Sequence, residues 1–178
     1  ETFEAFRERT GHAILERYGM TETGMNTSNP LVGERKCGTV GPALPGVSVR
    51  VRGDGGAPAA RGEAGVLEVR GPNVFSGYWR MPEKTAGEFT DDGFFRTGDI
   101  ARIDEDGYVS IVGRDKDMII SGGLNVYPRE VEACIDAMEG IGESAVIGVP
   151  HADFGEGVVA VVTAARGHAA PDEAEVIK

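Results

Sequence analysis

Apolar and polar positions along this chain fall into helical and alternating patterns, and the order of those patterns divides it. Thr2 to Thr10 carries Phe3 and Phe6 at helical spacing and stops at Gly11, which predicts a short helix. His12 to Tyr18 reads as a short strand running into a turn at Gly19. Val47-Ser48-Val49-Arg50-Val51 alternates cleanly, Gly53-Asp54-Gly55-Gly56 interrupts it, and Val66-Leu67-Glu68-Val69 resumes, as paired strands of a half-exposed antiparallel sheet do. Ile100 to Asp104 and Tyr108 to Val112 flank Glu105-Asp106-Gly107, a hairpin signal because an Asp-Gly pair accepts the positive φ of a tight turn. Beyond Gly113 the pattern changes. Pro128 opens a helix whose apolar face is Val131, Ile135 and Met138, and the runs Ala145 to Val149 and Val158 to Ala164 suit strands packed on it. Pro171 to Lys178 begins a last helix. The expected division is therefore 1–113, a linker at 114–116, and a smaller α+β region at 117–178.

Composition adds loops and removes partners. Among 178 residues, 27 Gly and 9 Pro exceed the usual share, so turns are abundant. With 18 basic against 29 acidic residues the net charge is -11, which opposes a non-specific grip on nucleic acid or an anionic membrane. Cys37 and Cys134 form no CxxC pair, and His12, His151 and His168 lack metal-site spacing. No stretch approaches the ~20 apolar residues that span a bilayer, and the first residues do not have a signal peptide's order. The expectation is a soluble, cytoplasmic protein.

Four clusters carry chemistry. Tyr18-Gly19-Met20-Thr21-Glu22 brings an aromatic face, a hydroxyl and a carboxylate within five residues. These suit a base, a phosphate oxygen and Mg²⁺, though a strand-to-helix turn capped by Thr21 has the same composition. Thr97-Gly98-Asp99 stands where a loop enters a strand, and its carboxylate suits a ribose diol or an ordinary turn. Gly113-Arg114-Asp115-Lys116 joins the two regions, with Arg114 as a ribose or phosphate contact and Lys116 as a pivot, or simply as a solvated linker. Ser121-Gly122-Gly123 lets a ligand or another chain approach the backbone closely, as a plain loop also would.

In this order the four clusters resemble the adenylate-forming superfamily of acyl-CoA synthetases, peptide-synthetase adenylation domains and luciferases. Within it, Tyr18 to Pro30, Gly77-Tyr78-Trp79-Arg80-Met81-Pro82-Glu83-Lys84-Thr85 and Pro150 to Gly157 look most like malonyl-CoA synthetases. The resemblance implies an α/β and α+β mix: the C-terminal part of the large domain with a small antiparallel β unit, then a partial α+β lid. It implies a ligase that couples ATP, Mg²⁺ and a small carboxylic acid to an acyl-adenylate, then passes the acyl group to coenzyme A. Tyr18 would flank the adenine with Gly19 in the same ATP/AMP site, Thr21 would bind phosphate, Glu22 would hold Mg²⁺, Asp99 would hold the ribose hydroxyls, and Arg114 would add a ribose or phosphate contact. Lys116 would be the hinge, Gly122 and Gly123 would line the CoA tunnel, and Met25 would wall the acyl pocket unless it is an ordinary core methionine.

Two expected parts are missing from these residues: a phosphate-gripping Ser/Thr-Gly-Thr-x-Gly-x-Pro-Lys-Gly loop and a lysine in a Pro-Arg-x-x-x-Gly-Lys context, which Lys178 does not replace. Without a preorganised cation worth on the order of 3 kcal/mol to the transition state, the chain alone is expected to adenylate negligibly. A non-catalytic nucleotide-binding role and other adenylating enzymes remain the alternatives. The sequence does not identify the cation that would meet malonate's second carboxylate, nor the oligomeric state.

Overall fold

The computed structural model describes residues 2–169 and 171–177. Lys178 lies outside the described residues. The chain separates into two compact units, Glu1–Ile111 and Val112–Lys178.

The first unit begins with helix α1 (Thr2–Thr10), which buries Phe3 and leaves Phe6 exposed. A hairpin of β1 (Arg17–Met20) and β2 (Gly24–Ser28) follows. The strand expected over His12 to Tyr18 therefore starts at Arg17 and passes through Gly19 to Met20. The segment before it has no ladder partner among the described residues. β3 (Ser48–Arg52), β4 (Gly65–Arg70), β5 (Phe95–Ile103) and β6 (Val109–Arg114) form a four-stranded sheet in that order, with helix α2 (Pro82–Glu88) between β4 and β5 in sequence. The alternation of Val49, Val51, Leu67 and Val69 puts one row inward, where Val51, Leu67, Val69, Ala101 and Val109 make the core. Leu67 is fully enclosed, and burial of one such side chain contributes about 1.5–3 kcal/mol. The β5–β6 connection turns at Gly107 with φ 85°, as its Asp-Gly pair predicts.

The second unit has the sheet order β8-β7-β10-β9, from β7 (Ile119–Ser121), β8 (Leu124–Val126), β9 (Ile141–His151) and β10 (Gly155–Ala164). Helix α3 (Pro128–Asp136) starts at a proline, whose missing N–H costs nothing in the first turn. Its buried Ile135 meets Ile119, Ile141 and Val146, with Val131 and Met138 beside them, the face that the spacing predicts. The final helix α4 is one turn, Glu173–Val176, held by a reciprocal cap between Asp172 and Glu175. Among the described residues no helix is long and apolar enough to cross a membrane.

Candidate active site

Two backbone irregularities build the site in the first unit. The β1–β2 ladder slips after Tyr18, so that Tyr18 faces Thr27 while Gly19 faces Met25, which leaves Asn26 as an extra residue in β2. The β4–β5 ladder slips as well: Val66 faces Ile100 and Glu68 faces Arg96, so the single residue Leu67 spans Thr97, Gly98 and Asp99. These three residues are therefore not a loop entering a strand, as the sequence suggested, but a bulge inside a nine-residue strand. Bulges of this kind re-aim side chains beside functional sites. Here Gly98 takes φ 72°, Thr97 anchors the bulge by donating to the Leu67 carbonyl at 2.8 Å, and its hydroxyl accepts from the Asp99 N–H at 3.1 Å.

Asp99 is only 7% exposed, and its Oδ2 accepts the Tyr18 hydroxyl at 2.5 Å across 81 residues of sequence. The ring of Tyr18 packs at the edge of the core. The first and second sequence clusters are thus one assembly. Gly19 is required there because a Cβ would stand 2.3 Å from the Gly24 carbonyl oxygen and 2.7 Å from the Met25 methyl. Met25 is 42% exposed among the described residues.

The turn between β1 and β2 carries Thr21 and Glu22 between two strands, so no helix exists for Thr21 to cap. Thr21 is exposed, Glu22 half-buried, and Thr23 fully buried. The loop after β4 meets this turn from a distance of fifty residues. The Phe75 N–H donates to the Glu22 carbonyl at 2.8 Å, and the Tyr78 hydroxyl donates to Glu22 Oε1 at 3.2 Å. Burial first, and then the Glu22 carboxylate, raises the Tyr78 phenol above its ordinary range, so it remains a donor at neutral pH. Neither Asn73 nor Tyr78 was assigned a role from sequence. Tyr78 lay within a stretch that carried the family resemblance, and an Asn after Gly-Pro marks a turn but not its partner.

No group of three or more His, Cys, Asp or Glu side chains among the described residues is arranged as a metal cage. A lone, oriented Glu22 still fits Mg²⁺, which commonly takes one or two carboxylates, with substrate phosphates and waters completing its shell.

The remaining candidates lie in the second unit. Arg114 ends β6 and is exposed, Lys116 is exposed on a single 3₁₀ turn at Asp115–Asp117, and Gly122 and Gly123 make the two-residue turn between β7 and β8 with φ 59° and 82°.

The AMP-binding enzyme family matches residues 1–79, and the AMP-binding enzyme C-terminal domain matches residues 130–178. The chain belongs to the AMP-binding, adenylate-forming enzymes. It is similar to the ATP-bound crystal structure of MatB from Rhodopseudomonas palustris, at 64% identity and a TM-score of 0.93 over 99% of this chain and 35% of that one. It is 44% identical to a malonate–CoA ligase of Arabidopsis thaliana over 87% of this chain and 25% of that protein. It is also 42% identical to a long-chain-fatty-acid–CoA ligase of Yersinia pestis over 96% of this chain and 30% of that one. This AMP-binding enzyme chain thus spans about a quarter to a third of the length of the relatives it matches.

Proposed function

We propose that this chain supplies the adenosine-holding face, and part of the lid, of an AMP-forming acid–CoA ligase whose acid is malonate. The carboxylate of the acid attacks the α-phosphorus of ATP and pyrophosphate leaves. The thiol of coenzyme A then attacks the acyl carbon and AMP leaves. Tyr18 and Gly19 border the adenine, and Asp99 holds the ribose hydroxyls with Arg114 contributing to ribose or phosphate. Thr21, exposed on its turn, donates to phosphate. Glu22 would hold Mg²⁺, which when bound neutralises phosphate charge. Lys116 is the pivot between half-reactions, Gly122 and Gly123 border the CoA passage, and Met25 borders the acyl group.

The observation that carries this reading is the Tyr18–Asp99 hydrogen bond, which joins the aromatic and the diol-binding carboxylate of two distant motifs at one bulged strand. The malonate choice is supported by the 64% identity to MatB and by the malonate–CoA ligase among the relatives. The fatty-acid ligase at nearly the same identity as the plant enzyme supports only the wider ligase reading.

Calorimetric titration with AMP tests the nucleotide face. Asp99→Asn should weaken AMP binding by about 10- to 100-fold, the range expected for losing a hydrogen bond to a charged group. Wild-type binding in the variant, or none in the parent, would refute the assignment. A chimera carrying residues 2–177 in place of the matching part of MatB should release pyrophosphate with malonate in preference to acetate. A chimera that prefers acetate would remove malonate as this segment's substrate.

A further inference from the structure

The loop from Gly71 to Tyr78 makes more directed contacts to the β1–β2 turn than packing alone requires. Asn73 Nδ2 lies 2.7 Å from the Thr23 carbonyl, 3.2 Å from the Met25 carbonyl and 3.0 Å from Asn26 Oδ1. Asn26, the bulged residue of β2, is fully buried and donates in turn to Thr23 Oγ1 at 2.7 Å. Asn73 Oδ1 is itself buried with no hydrogen-bond partner among the described residues, an arrangement that costs free energy and persists only if the amide is held this way round. Turning the amide over would point that oxygen at three acceptors, so only a carboxamide nitrogen suits this position. The loop is fixed at its far end. Phe75 packs edge-on against Tyr78 at 4.9 Å and Phe95 at 5.4 Å, and the Tyr78 N–H donates to Thr85 Oγ1 in the middle of α2.

We propose that Asn73 and Tyr78 are positioning residues: Asn73 fixes the backbone of the turn that carries Thr21 and Glu22, and the Tyr78 hydroxyl fixes which way the Glu22 carboxylate faces. Neither touches the reacting atoms. Tyr78 acts on one oxygen of the proposed metal-holding carboxylate, the role that outer partners of metal ligands play elsewhere. Asn73 acts one step further back, through Thr23, Met25 and Asn26. For Tyr78 the inference rests on the reading of Glu22 given above, whereas for Asn73 it rests on the turn alone.

Two measurements on the chain separate these. Asn73→Asp keeps the shape but faces three acceptor oxygens with a carboxylate. Amide hydrogen exchange over residues 21–25 should quicken by about tenfold, the loss of roughly one hydrogen bond, while β3 and β4 keep their rates. Unchanged exchange in the turn overturns the role of Asn73. Tyr78→Phe keeps the contact with Phe75 and removes only the hydroxyl. The Mg²⁺ concentration for half-maximal ATP binding should rise by about tenfold, with metal-free AMP binding unchanged. An unchanged Mg²⁺ requirement overturns the role of Tyr78. A wild-type chain that binds no adenine nucleotide overturns the ligase reading and Tyr78's part in it, and the exchange result still decides Asn73.

Discussion

Two polar clusters of the first unit share strands β4 and β5 and border the same slip in their ladder, yet they pair their side chains differently. Around Tyr18 and Asp99 both ladders slip, and buried or half-buried polar groups are gathered from residues up to 81 apart. Around Glu68 the β3–β4 register is regular, and Arg50, Glu68 and Arg96 stand directly opposite one another across three strands. Glu68 is 4% exposed; its Oε2 lies 2.6 Å from Arg50 Nε and 3.5 Å from Arg52 Nε, and its Oε1 lies 3.9 Å from Arg96 Nε. Arg50 also pairs with Asp92 through two nitrogens and stands over Phe94, its Cζ 3.7 Å from the ring centre. Opposite charges facing each other across regular strands stabilise a sheet. The regular cluster thus spends its charges on itself, whereas the irregular one presents a turn hydroxyl and a carboxylate to whatever binds. Charge density alone therefore does not single out the proposed site; what sets it apart is that its turn is held by residues distant in sequence.

The sharpest way to break this contrast is Glu68→Ala. It leaves Arg50, Arg52 and Arg96 without their shared, buried carboxylate, and because the arginines reach solvent and Arg50 keeps Asp92, the cost is that of lost charge-assisted hydrogen bonds, about 1.5–3 kcal/mol. Urea unfolding of the chain should show that loss, with AMP affinity of the remaining folded protein unchanged. A change in affinity without a change in stability would reverse the roles assigned to the two clusters. Gly19→Ala should behave the other way. Its Cβ meets the Gly24 carbonyl oxygen and the Met25 methyl, and overpacking of this sort costs about 1–3 kcal/mol. The strain falls on the turn, so AMP and Mg²⁺–ATP binding should fall further than the unfolding midpoint does. Equal losses in both variants would show that the clusters are not functionally distinct.

The same contrast explains what could be read from the sequence. The β3–β4 pair, the Asp106-Gly107 hairpin and the Pro128 helix were legible because each obeys a local rule: alternation, a turn dipeptide, or a proline at a first turn. Tyr18 and Asp99 were legible as motifs, although nothing in their spacing says that they touch. β2 escaped notice because Gly24-Met25-Asn26-Thr27-Ser28 turns its polar residues inward; Asn26 and Thr27 are fully buried, the reverse of what apolar alternation looks for. The bulge at Thr97-Gly98-Asp99 read as a loop because a glycine there breaks a strand pattern whether the chain leaves the sheet or only slips within it. Asn73 and Tyr78 stayed silent because their partners are about fifty residues away, on a turn whose conformation no local pattern reports.

The smallest expected effect tests whether the regular cluster is electrostatic at its rim. Arg50 first, and then Thr90, hydrogen-bonds Asp92 and holds its carboxyl well below the usual carboxylate range. Because the folded-state value is depressed, Asp92 adds stability that is complete above the unfolded value, about 3.9, and is lost as the pH falls below it. Asp92→Asn removes that contribution. The gap in unfolding midpoint between the parent and the variant should be constant from neutral pH to about pH 5 and should close below about pH 4. Added salt should narrow the gap at neutral pH, since the Asp92 side chain is 53% exposed and its pairing is screened. A gap that widens on acidification would mean that Asp92 is protonated in the fold at neutral pH, and the Arg50–Asp92 pair would then contribute through shape rather than charge.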